Sequence, residues 1–129
     1  MEWVFRIALF ITGIINIVPS VLAFLPDKIP TSYGIDKLDS NLELLLRHRA
    51  ILFGIIGGWM IFSALSKRYY EISVIAGLVS MASFVVLYFL ANKHISPELR
   101  KVMLIDVAAI IILSAATILF IINGKSRMN

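Results

Sequence analysis

The chain has 129 residues, 60% of them hydrophobic and only 16% charged, with no cysteine and a formal net charge of +4. A mean hydropathy of +0.92 sets it apart from water-soluble domains, where about 25% of residues are charged, and the lack of cysteine excludes disulfides, thiol catalysis and thiolate metal sites. The cations gather at the ends of apolar runs rather than along a basic stripe interleaved with aromatics, so nucleic acid is not an expected partner.

The first element is an uncharged run over residues 7–25. It exceeds the roughly 7–15 residues of a signal-peptide core and is read as a retained membrane span. Pro19 removes an internal donor and should bend it. Thr12, Gly13, Asn16, Ser20 and Ala23 form its smaller, more polar side.

Pro26, Pro30 and Gly34 then punctuate a loop. Ser40-x-x-Glu43 has the form of a capping box and should start the second helix. The uncharged run that follows, residues 50–66, spans about 25 Å at 1.5 Å per residue, short of a bilayer core of about 30 Å. Arg47, His48 and Arg49 therefore approach the membrane.

At about 100° per residue, Glu43, Arg47, Ala50, Gly54, Gly57, Gly58 and Ile61 share one face. Small residues let membrane helices approach closely, and Gly54-x-x-x-Gly58 is such a pair, so this face is expected to look into the bundle. Arg49 falls on the far side, where its long stem can carry the guanidinium to the headgroups.

After the Lys67, Arg68, Glu71 turn, the third run covers residues 72–92, with Ser73, Ala76, Gly77, Ser80 and Ser83 on one face. The fourth helix should open with Ser96 as N-cap, Pro97 at its first position and Glu98 in its first turn. Its apolar run covers residues 107–124, and Asp106, Ala109, Leu113 and Thr117 share a face.

These elements predict a single all-α domain over residues 1–129: an integral membrane four-helix bundle with spans near 4–25, 45–66, 72–92 and 101–123. Arg6, Lys67, Arg68, Lys125 and Arg127 flank the terminal side. Lys28, Lys37, Arg47, Arg49, Lys93, Arg100 and Lys101 lie opposite, mixed with Asp27, Asp36, Asp39, Glu43 and Glu98. The raw cation count favours the opposite side as cytoplasmic. The acids among those cations, and the part several of them play in the bundle, lead to the reading that the termini are cytoplasmic.

Converging the faces gathers Glu43, Arg47 and Asp106 with Asn16, Ser20 and His48 at the non-terminal end. Arg47 and Asp106 are the expected ion pair, since an ionisable group in a span costs roughly 2.5–3.5 kcal/mol and is paired or lines a cavity. Two readings stand: a structural pair tying two helices, or the polar end of a ligand pocket. Gly54, Gly57, Gly58, Gly77 and Ser80 are expected to pack helices. His48 reads as interfacial and His94 has no partner at ligand spacing, so neither a metal nor a cofactor is expected.

The start of the second helix, Glu43-Leu-Leu-Leu-Arg47-His48-Arg49-Ala50 leading into Phe53-Gly54, and the Leu99-Arg100-Lys101 to Asp106 segment of the fourth, resemble small bacterial inner-membrane proteins of the DoxX-like kind. The resemblance implies a multi-pass membrane protein and transfers no catalytic residues. With no nucleophile or cofactor motif, the expected activity is binding of a membrane lipid, another hydrophobic small molecule, or a membrane partner such as a second copy of the chain. The alternatives are an enzyme using Glu43 or Asp106 for acid/base chemistry on a lipid-soluble substrate, and a proton-coupled exporter.

Overall fold

The structure is a computed structural model that describes residues 1–91 and 94–126, with side chains through Gly124. The expected end of the third span at Asn92, and Lys93 and Arg127 in the cation count, lie outside the described residues. Helix α1 covers Glu2–Ile17, α2 is the short Ile29–Tyr33, α3 covers Ser40–Ser66, α4 covers Tyr70–Leu90 and α5 covers Pro97–Ser126. No strand occurs among the described residues.

Four helical stretches are long and apolar enough to cross a membrane: Glu2–Ala23, Ser40–Ser66, Tyr70–Leu90 and Pro97–Gly124. Their outward faces carry large apolar side chains, including Ile55, Ile75, Phe89, Leu90 and Ile111, each more than half exposed. A monomeric soluble protein rarely leaves apolar patches larger than a few hundred Å² in water, so this exterior suits hydrocarbon.

Several local signals act as the sequence predicts. At Pro19 the α-helix gives way to a 3-10 helix over Val18–Ala23, because proline supplies no backbone N–H. The Ser96 hydroxyl accepts from the Leu99 N–H at 3.3 Å, and Pro97 opens α5. The start of α3 differs. Its cap is Asp39, whose carboxylate accepts from the N–H groups of Asn41 and Leu42, both at 2.9 Å, and Ser40 is already helical. An extended Asp39 satisfies two orphan donors at once and shifts the helix one residue ahead of the expected capping box.

Helix α1 packs most extensively on α3, and the contacts close a ring in the order α1, α3, α4, α5, leaving α3 and α5 on a diagonal. The α1–α3 approach is backbone to backbone. A Cβ at Gly57 would stand 2.5 Å from the Gly13 carbonyl oxygen, and one at Gly13 would stand 2.9 Å from the Gly57 oxygen. Gly54 sits under the Ser20 side chain, and Gly77 receives the end of Met60. Gly58 has no such neighbour within 4 Å, so of the α3 glycines expected to pack, Gly54 and Gly57 meet α1 and the chain just after it while Gly58 does not.

The core is filled by Phe5, Leu9, Met60, Met81 and Leu113. Phe5 stacks on Phe120 at 4.7 Å and meets the edge of Tyr70 at 4.9 Å, joining α1, α4 and α5 near the terminal end. In hydrocarbon such packing gains little from water exclusion, so shape fit and close backbone contact carry the association.

Gly57→Ala should lower the melting temperature in detergent micelles, since overpacking costs about 1–3 kcal/mol and exceeds the gain in helix propensity of about 1 kcal/mol. Gly58→Ala should be neutral or stabilising in the same assay. Asp39→Ala should destabilise by about 1 kcal/mol through loss of the cap; Ser40→Ala should leave the melting curve in place.

Candidate functional site at the non-terminal end

The stripe of small residues on α3 is the face that meets α1, and this fixes where the neighbouring cations go. Arg47 lies on that stripe and ends against the close of the first span. Its Nε donates to the Ala23 carbonyl at 2.9 Å and its Nη1 to Glu43 Oε1 at 3.3 Å. The Arg47–Glu43 pair is exposed, and it is the one ion pair within 4.0 Å among the described residues. Arg47 and Asp106 therefore do not form the expected pair.

Arg49, two residues on, lies about 200° around the helix from Arg47. Rather than reaching outward to headgroups, it is half-buried, and its guanidinium carbon lies 4.8 Å from the Phe53 ring centroid, 4.8 Å from Phe84 and 5.8 Å from Tyr33. Phe53 stands one helical turn along α3, Phe84 comes from α4, and Tyr33 from α2. Three aromatic faces thus hold one cation.

Arg49 is also the cation whose charge acts on Tyr33. Asp106 is half-buried on α5, across the diagonal from α3. Arg49 and Asp106 form no ion pair within 4.0 Å, and no hydrogen bond to another protein group engages either side chain among the described residues. Arg49 thus keeps donors, and Asp106 acceptors, without a protein partner among the described residues.

The position of Tyr33 depends on a joint between α2 and α5. The Ser96 hydroxyl donates to the Tyr33 carbonyl at 2.6 Å while also capping α5. Gly34 follows with φ of +62°, and Ser96 and the Glu98 carboxylate occupy the space a Cβ would need. Left-handed backbone and close approach both select glycine there. Burial raises the Tyr33 phenol above its ordinary 10.0, opposed by the Arg49 charge.

The remaining expected residues are spread around this centre. Asn16 is buried, donating from Nδ2 to the Thr12 carbonyl at 3.0 Å and accepting from the Ser80 hydroxyl at 3.4 Å, a weak polar link between α1 and α4. Ser20 is half-buried against Gly54, and His48 is exposed. No cluster of three or more His, Cys, Asp or Glu able to hold a metal occurs among the described residues. Arg49, Tyr33, Phe53 and Phe84 are site residues that face-counting on one helix does not find. The i, i+4 spacing of Arg49 and Phe53 is the one local signal pointing to them.

No protein family, curated protein or solved structure matches this chain.

Because the neutral Tyr33 phenol is favoured in the folded state, its contribution to stability is present below pH 10.0 and is lost as pH rises through the higher folded value. The phenolate absorbance titration of wild type minus that of Tyr33→Phe should have its midpoint above pH 10.0. A midpoint at or below that value would place the phenol in water.

Proposed function

We propose that the chain is a multi-pass bacterial inner-membrane protein of the DoxX-like kind, with cytoplasmic termini, that binds a lipid or other hydrophobic molecule at the non-terminal end of its bundle. The polar group of the ligand sits between Arg49 and Asp106, and its apolar body lies along the aromatic and aliphatic walls. The observation that supports this reading is that neither Arg49 nor Asp106 has an ion-pair or hydrogen-bond partner among the described residues. Ionisable groups in a span that lack a protein partner commonly mark a site for another molecule.

The division of labour follows from side-chain chemistry. The three rings stabilise Arg49 through their faces and fix the plane of its guanidinium, leaving N–H donors for an oxygen on the ligand. Asp106 accepts from a hydroxyl or amine on the same molecule. Ligand sites of this kind are mostly apolar with a few convergent polar groups, and the site has that composition.

Native mass spectrometry of protein extracted in mild detergent should show a retained hydrophobic molecule. Asp106→Asn and Arg49→Lys should each lower its occupancy about tenfold, equivalent to about 1.4 kcal/mol. The lysine variant keeps the charge but loses the planar fork. Wild-type protein without a ligand, or equal occupancy in folded variants, would contradict the reading.

A further inference from the structure

Two adjoining concavities lie at the other end of the bundle, away from Arg49. A cleft of about 610 Å³ is lined by Glu2, Trp3, Arg6, Lys67, Phe120 and Asn123. Beside it, an apolar groove of about 330 Å³ runs between α1 and α3, lined by Trp3, Arg6, Ile7, Phe10 and Leu65. Trp3 and Arg6 belong to both. Each volume lies within the range of about 300–1,000 Å³ typical of small-molecule sites.

The chemistry of the two parts differs in the way an amphiphile requires. Arg6 is half-buried and anchored: its Nε donates to the Ala64 carbonyl at 2.6 Å, and its terminal nitrogens have no protein partner among the described residues. A guanidinium held in this way presents a ready fork to a phosphate. Lys67 adds a second cation from the tight α3–α4 turn. It occupies left-handed backbone, φ +59°, and the turn contains a second such residue, Tyr69, at φ +61°. Non-glycine residues pay a steric penalty there, yet the cation is placed at the rim of the cleft.

Glu2, held by the Tyr70 hydroxyl at 3.2 Å, gives the cleft one carboxylate as well. The mixed charge complements a headgroup carrying both a phosphodiester and an amine. The adjoining groove offers Ile7, Phe10 and Leu65 to an acyl chain, and Trp3 stands at the junction, where an amphipathic ring suits the membrane interface.

We propose that this end is a binding site for one glycerophospholipid of the aminophospholipid class. The phosphate is held by Arg6 and Lys67, the amine by Glu2, and one acyl chain by the α1–α3 groove. The inference rests on the reading that the four helices span a membrane, but not on a ligand at Arg49.

The test is native mass spectrometry of delipidated protein in detergent, titrated separately with phosphatidylethanolamine, phosphatidylglycerol and diacylglycerol. The aminophospholipid should bind best, diacylglycerol at least tenfold more weakly. Lys67→Asn, which suits left-handed backbone, should weaken phosphatidylethanolamine binding about fivefold to tenfold. Lys28→Gln, removing a cation at the far end, should not. Glu2→Gln should abolish the preference for phosphatidylethanolamine over phosphatidylglycerol, and Ile7→Trp should weaken both by filling the groove. Asp106→Asn should leave this binding unchanged while lowering occupancy of the other site about tenfold, so the two proposals fail separately. Equal binding of diacylglycerol, undiminished binding by folded Lys67→Asn, or an initial preference for phosphatidylglycerol would overturn the inference.

Discussion

The contact on which the rest of the structure depends is the meeting of Gly13 on α1 with Gly57 on α3. A side chain at either position would strike the opposite backbone. In hydrocarbon, where apolar surface gains little by leaving lipid, such close approach is a main source of helix association. It also sets the rotation of α3 about its axis. With Gly57 against α1, Arg47 is delivered to the carbonyl of Ala23 at the end of the first span, and Arg49 is turned toward α4 and α2.

The energetics of Arg49 then become tractable. A cation in a span costs roughly 2.5–3.5 kcal/mol on insertion scales. Each aromatic face returns about 0.5–2 kcal/mol, more when water is excluded. Three faces offset the cost without a closed salt bridge, so Asp106 need not be consumed in neutralising Arg49. Ring closure through α1, α3, α4 and α5 keeps α3 and α5 on a diagonal, and that separation accompanies the lack of an Arg49–Asp106 ion pair. The same bundle is polarised along its axis: Arg49 among three aromatic rings at one end, and a cleft bearing Arg6 and Lys67 at the other.

The architecture was legible wherever a single stretch of chain decides the outcome. Four uncharged runs of spanning length become four long helices. Pro19 ends the regular α-helix, and Ser96-Pro97 opens α5, because proline geometry and serine capping act locally. Asp39 took the capping position from Ser40 for a similarly local reason: an ionised carboxylate accepts two N–H bonds where a serine hydroxyl was expected to accept one. What could not be read was anything set by rotation between helices. Small residues on α3 mark a helix contact, but equating that contact with the bundle interior put Arg47 in place of Arg49. Gly58 belongs to the same stripe yet meets nothing. Tyr33 and Phe84 reach Arg49 from separate elements, and the terminal cleft joins residues from α1, α5 and the α3–α4 turn, combinations that no spacing along the sequence encodes.

The orientation of α3 is the central claim, and the absence of native cysteine makes it directly measurable by cross-linking in membranes with a short bifunctional maleimide. The pairs Arg49→Cys with Phe84→Cys and Arg47→Cys with Ala23→Cys should cross-link efficiently, and Arg47→Cys with Phe84→Cys should not. Cross-linking of residue 47 to residue 84 or 106, with none between 49 and 84, would show that α3 is turned the other way and contradict the account.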